Sequence, residues 1–248
     1  MELHRLFIGM PLPEEYQNAL KSLSATLRPL IRSKCTWTRP GNWHITLKFL
    51  GDTPVAAIAA IDAALAGMVW QAFPFAAGGG GFFPSPVRPR VLWVGTAKGG
   101  REMSALAAGI GNALTAVGIA PEARPFTAHL TLARIRHPGR EARPERREHQ
   151  AHAVPVEHPA YPERPERPER SGREEREGRE RPAGHTSQPS LGDNWRAVLE
   201  TLQQTRWPET VMERFVLWRS LRGGGEAGER PGPPGPRYVP VGTYAASG

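Results

Sequence analysis

The chain has 248 residues, 39% of them hydrophobic, with one cysteine, Cys35, and a formal net charge of +8. A single cysteine excludes an internal disulfide framework. No stretch approaches the roughly 20 apolar residues of a membrane span, and the N-terminus lacks a signal-peptide pattern. The expectation is a cytoplasmic protein with no membrane partner, whose basic balance favours polyanions, nucleic acid above all.

Leu3–Met10 reads as a strand. Pro13 suits the first helical position and Glu14 and Glu15 suit the first turn. Tyr16, Leu20, Leu23, Leu27 and Leu30 then form a helical stripe. Trp43–Leu50 alternates as a strand. Thr53 and Pro54 give an N-cap and first-turn signal for a helix through Ile58, Ile61, Leu65 and Met68. Gly78–Gly81 lacks the Lys-Ser/Thr ending of a phosphate-binding loop and reads as a turn. Pro84, Pro86 and Pro89 lead to a strand at Val91–Gly95. Met103, Leu106, Ile110, Leu114 and Val117 mark another helix, and His129–Ile135 another strand.

From Arg136 to Pro189 the composition changes. The tripeptide Pro-Glu-Arg repeats from Pro162 to Arg170, and large apolar residues are almost absent. Such a segment cannot offset its ordering entropy by burial, and a disordered or extended insertion over 136–190 is expected. It holds 12 Arg and 11 Glu, so nearly all the excess positive charge belongs to the rest of the chain. Beyond it, Trp195, Val198, Leu199 and Leu202 suggest a short helix. Val211–Trp218 and Tyr238–Val241 read as closing strands. The class is α+β: two similar lobes, mainly antiparallel sheets with helices outside and a cleft between, built from 1–135 and 191–248.

Two tetrapeptides stand out, His44-Ile-Thr-Leu47 and His129-Leu-Thr-Leu132. The period of two puts each His and Thr on one strand face and the two aliphatics on the other. If the halves pack together, two imidazoles and two hydroxyls meet in one cleft. That set suits phosphodiester hydrolysis without a metal. A neutral imidazole can take a proton from water while an imidazolium protonates the leaving alkoxide. Thr46 and Thr131 can donate to the non-bridging phosphate oxygens, where charge concentrates. Of eight histidines five lie in the insertion, and two of the other three occupy the repeated motif. The third, His4, reads as a strand-face residue. No His-Glu-x-x-His or paired cysteine is present, so a zinc site is not expected. Arg124 and Arg134 flank the second motif, and Arg124 reads either as a phosphate clamp or as a solvated arginine. Lys48 shares the face of His44 if the strand is regular, and then either touches substrate or snorkels at an edge.

At these residues the chain resembles the bacterial and archaeal RNA 2′,3′-cyclic phosphodiesterases, also called 2′-5′ RNA ligases, of the two-histidine phosphoesterase superfamily. The matching stretches are Arg5–Pro13, Trp43–Gly51, Phe83–Gly95, Arg124–Phe126 with His129–Arg134, and Phe215–Ser220. The resemblance implies a bilobal fold with a pseudo-twofold cleft. It also implies hydrolysis of a terminal 2′,3′-cyclic phosphate of RNA to a 2′-phosphate, without metal, nucleotide or other cofactor; separately, a monomer is expected. His44 would be the proton donor and His129 the proton acceptor. The family usually carries proline just before the second motif, where this chain has Ala128. Action on 2′-5′ linkages or other cyclic nucleotide esters, or RNA binding without turnover, are the alternatives.

Overall fold

The first strand, β1 (Leu3–Pro11), is buried continuously from Leu6 to Met10, the mark of a strand covered on both faces. Around it the computed structural model describes residues 2–122, 124–136, 192–221 and 236–247. All belong to one compact unit, Met1–Glu141 with Gly192–Gly248. Apart from Arg136, the Pro/Glu/Arg-rich insertion lies outside the described residues.

The chain continues through α1 (Glu14–Leu27), β2 (Lys34–Trp37), β3 (His44–Pro54), α2 (Ile58–Ala66), β4 (Phe73–Phe83), β5 (Val91–Lys98), α3 (Gly100–Thr115) and β6 (Leu130–Arg136). After the undescribed segment come α4 (Trp195–Gln204), β7 (Thr210–Met212), β8 (Arg214–Leu221) and β9 (Arg237–Ala245). The strands form one antiparallel sheet in the order β7-β4-β5-β6-β3-β1-β8-β9, with β2 also on β6. Its halves join at a single residue pair, Ile45 opposite Leu130. The α+β class with mainly antiparallel sheet is as the sequence pattern indicates. The two expected sheets are continuous through that one pair.

Each helix buries the stripe its periodicity foretells: Tyr16, Leu20, Leu23 and Leu27 on α1, Ile61 and Leu65 on α2, Met103, Leu106, Ile110 and Leu114 on α3, Val198 and Leu202 on α4. They share one core with Ile8, Met10, Ile45, Leu92, Val94, Leu130, Leu132 and Leu217 from the sheet. Burying side chains of this size stabilises by roughly 1.5–3 kcal/mol each before entropy is set against it. The Asn194 side chain caps α4 by accepting from the Ala197 N–H at 3.1 Å.

Two local expectations fail. Gly78–Gly81 is not a turn but part of β4. A Cβ on Gly80 would stand 2.4 Å from the Trp93 carbonyl oxygen and 2.8 Å from Leu202, so glycine there serves close approach to β5 and α4. Thr53 does not cap a helix. β1 extends pairing to Pro54, the Val55 N–H bonds the Glu2 carbonyl, and the chain enters α2 only after a short 3₁₀ turn.

Candidate active site

His44 opens β3 and His129 immediately precedes β6, so both motifs sit at the seam between the halves. The antiparallel pair Ile45–Leu130 fixes their relation. Extended by one residue each way, its register sets His44 across from Thr131 and Thr46 across from His129. Ile45 and Leu130 point into the core, at 0% and 1% exposure, so the neighbours on either side point the other way. Both histidines and both threonines therefore share one face. Neither threonine hydroxyl has a hydrogen-bond partner among the described residues, which leaves both free to donate to a ligand.

The imidazoles are held alike. His44 Nδ1 lies 2.8 Å from the carbonyl of Asn42, and His129 Nδ1 lies 2.8 Å from that of Thr127. A carbonyl only accepts, so each Nδ1 carries hydrogen and donates. In the neutral ring Nε2 is then the free base. The turn before His44 is pinned in turn: Gln17 donates to the Trp43 carbonyl and accepts from the Gly41 N–H, and Asn42 Nδ2 donates to the Pro236 carbonyl.

Aromatic walls surround the two rings unequally. His44 has Phe7, Trp218 and Tyr238 at centroid distances of 4.8, 5.4 and 5.3 Å. His129 has Phe83 at 5.0 Å and Trp93 at 6.5 Å, both edge-on. Phe7 is buried yet stands outside the main core, as a residue of the opposite sheet face should. Burial within this wall drives the His44 pKa down to about 4, opposed by the Asn42 carbonyl and reinforced by the charge of His129. Burial also lowers His129, opposed by the Thr127 carbonyl and reinforced by Arg134. The influence of His129 on His44 makes the two histidines electrostatic neighbours.

Past the motifs both strands carry an extra residue. On β3 the partners run Gly9–Thr46 and then Ile8–Lys48, so Leu47 is unmatched. On β6 they run Trp93–Thr131 and then Leu92–Ala133, so Leu132 is unmatched. A bulge of this kind reverses the facing of everything beyond it. Lys48, expected beside His44 on a regular strand, is turned away with Ile8. It is 6% exposed, and its ammonium donates to the Ala120 carbonyl at 2.9 Å. Phe49 takes the site face in its place and is 60% exposed. On β6 the same shift buries Ala133 and brings Arg134 to the site face. Arg134 lies near both halves, because its charge lowers the pKa of His129 and also that of Tyr238, whose hydroxyl burial raises. Thr38 supports the β6 bulge: its N–H and hydroxyl, each at 2.8 Å, bond the carbonyls of Leu132 and Thr131.

Arg124 lies in the irregular segment before His129, exposed and with no hydrogen bond or ion pair among the described residues. His4 sits at the far end of β1, 3.0 Å from the Glu2 carboxylate. The sequence reading missed the facing of Arg134 and the aromatic walls. A sign of the first was available, because Leu132-Ala133 are consecutive apolar residues that break the alternation. Among the described residues no three His, Cys, Asp or Glu side chains gather as metal ligands.

The model of LigT-like phosphoesterases matches this sequence over residues 10–93 and 94–160. The chain belongs to the LigT-like phosphoesterase family. A relative from Aeropyrum pernix, named RNA 2′,3′-cyclic phosphodiesterase, is 40% identical to this LigT-like chain over 95 residues, 38% of this chain and 54% of the relative. One of the same name from Geobacillus stearothermophilus is 32% identical over 54% of this chain and 43% of its own length. The chain thus spans about half the length of these two. An Archaeoglobus fulgidus relative, again of that name, is 32% identical over 53% of this chain and 73% of its own. Among solved structures, E. coli LigT complexed with 3′-AMP superposes with a TM-score of 0.60 at 19% identity, covering 100% of both chains. TT0787 of Thermus thermophilus gives 0.57 at 24% identity, covering 97% of each. These two likenesses establish the LigT-type fold.

Proposed function

We propose that this LigT-like protein hydrolyses the 2′,3′-cyclic phosphate end of RNA to a 2′-phosphate, without a metal, using His44 and His129. The observation that carries the reading is the seam. One residue pair sets two backbone-oriented imidazoles and two unpartnered hydroxyls on a single face. The names of the relatives support the substrate class.

In this reaction one Nε2 accepts a proton from water as its oxygen attacks phosphorus. The bond from phosphorus to the 3′ oxygen breaks, and the other Nε2–H protonates that oxygen. Thr46, Thr131 and the Arg134 guanidinium face the non-bridging oxygens, where negative charge grows. Family resemblance makes His44 the donor and His129 the acceptor. In the free protein His44 is the more strongly held in its neutral form, so the donor role requires the bound phosphate anion to raise its pKa.

The test is a short RNA ending in a 2′,3′-cyclic phosphate, incubated with protein and EDTA, with the product isomer identified. A 2′-phosphate formed at an undiminished rate supports the reading. Loss of turnover that one divalent metal restores overturns metal independence. Cleavage confined to 2′-5′ linkages or other cyclic esters, or binding without turnover, would redirect the assignment.

A further inference from the structure

The face that carries the histidines continues beyond them. β2 pairs with β6 so that Thr36 stands opposite Arg134 and Lys34 opposite Arg136. Directly opposed side chains of an antiparallel pair share a face. The extra residue at Leu132 has put Arg134 on the histidine side, so Arg136, two residues on, lies there too, and Lys34 with it. Exposure agrees: Lys34, Thr36, Arg134 and Arg136 are exposed, whereas Cys35, Trp37 and Ile135 pack against the core.

Like charges directly opposed across strands are destabilising. Lys34 and Arg136 are such a pair, and neither is ion-paired among the described residues. Asp193 lies at the adjoining turn, but it accepts from the backbone N–H groups of Arg32 and Ser33 and from the Ser33 hydroxyl. Its field is felt at Cys35, on the core side. A cationic pair with no ion-pair partner among the described residues, on the strand that leads away from the site, has the electrostatics of a phosphate track. At ~3.3 Å per strand residue Arg136 lies about 13 Å along β6 from Thr131, bulge allowed for, which points it to a phosphate other than the reacting one.

We propose that Lys34 and Arg136 form a second anion subsite. It receives backbone phosphates of an RNA chain on the 5′ side of the terminal nucleotide and makes the protein selective for polynucleotide ends over mononucleotides. This rests on the cyclic phosphodiester reading above and names the length class of its substrate.

The experiment uses the full chain with Lys34→Gln and Arg136→Gln, singly and combined. The first measurement is the ratio of kcat/KM for an oligoribonucleotide ending in a 2′,3′-cyclic phosphate to that for a nucleoside 2′,3′-cyclic phosphate. Between about 50 and 200 mM salt, the double variant should lower this ratio about 10-fold. It should also flatten the oligonucleotide's log–log salt slope by roughly 1.4, at ~0.7 per lost contact on a single strand. The second is equilibrium binding of an oligoribonucleotide ending in a 2′-phosphate, which should weaken by a similar factor. Thermal melting should hold or rise, because the substitutions relieve repulsion. An unchanged ratio, unchanged binding or equal losses on both substrates overturns the subsite. Absent turnover of either substrate by the natural protein, with binding still weakened in the variants, sinks the hydrolytic reading and leaves the subsite standing.

Discussion

β3 and β6 are built alike for four residues and differ after that. Each begins at the seam with His-x-Thr-Leu, ties its histidine Nδ1 to the carbonyl two residues back, and carries its unmatched residue at the closing leucine, Leu47 or Leu132. Beyond the bulge, β3 hides Lys48 and shows Phe49, while β6 hides Ala133 and shows Arg134. His44 is walled by three rings from β1, β8 and β9, whereas His129 has two, with the Arg134 charge acting on it. In the proposed reaction the repeat supplies matched proton-transfer groups. The residues after it supply the inequality that a reaction with one acid and one base requires, since two identical environments would favour neither assignment.

The largest effects should come from the matched part. His44→Ala and His129→Ala should each lower turnover of a cyclic phosphate by ~10²–10⁴-fold. The losses should not multiply in the double variant, because the groups act as a unit. Steady-state kinetics on both singles and the double check this. A substrate with a better leaving group at the same phosphate then separates the halves. The donor's variant should be rescued and the acceptor's should not, so rescue of His129→Ala alone would exchange the assigned roles.

Next come the groups proposed to face the phosphate oxygens. Thr46→Val, Thr131→Val and Arg134→Gln each remove a donor while leaving both proton transfers, for losses of roughly 10–100-fold. Phe49→Ala, at the matching position on β3, removes no donor and should cost less than Arg134→Gln. Equal costs at the two positions would mean that the divergence after the bulges carries no chemistry. Lys48→Met tests the bulge itself. Turnover should hold, and stability in denaturant should fall by only about 1 kcal/mol, because water can reach the exposed Ala120 and replace the lost donor. A large kinetic loss would return Lys48 to the site face.

The sequence showed what depends on short-range period and missed what depends on register. The stripes of α1 and α3 and the alternation in both motifs are local, so the core faces and the His-Thr pairing onto one side were legible. The bulges are not local. Whether Leu47 is matched depends on which residue of β1 stands opposite, and that is settled by the burial of Ile8 and Met10 rather than by the motif. Regular parity therefore puts Lys48 beside His44 and Arg134 away from His129, and the two bulges reverse both. The ring wall comes from β1, β4, β5, β8 and β9, whose residues are far apart in sequence. Arg124 stands exposed in the irregular segment before His129.

The smallest effect is the most specific to the inequality of the halves. kcat/KM follows the ionisations of the free protein. Reaction needs one imidazole protonated and the other neutral, and both pKa values lie below the ordinary 6.5, with that of His44 near 4. The singly protonated pair therefore occupies a window on the acid side of neutrality. Below it the pair takes a second proton, and above it the pair has none, so kcat/KM should peak between about 4 and 6.5 and fall on both sides. A bound phosphate anion favours the protonated rings, so the profile of kcat should sit at higher pH than that of kcat/KM. Both limbs belong to the coupled pair rather than to single residues. Arg134→Gln should still move them unequally. Its cation lowers His129 and is not among the causes acting on His44, so its loss raises the upper ionisation and carries the alkaline limb to higher pH while the acid limb stays. Profiles of kcat/KM for the natural chain and this variant decide the matter. A downward move of the alkaline limb, or an equal move of both, would show that the guanidinium does not act on His129 in preference to His44.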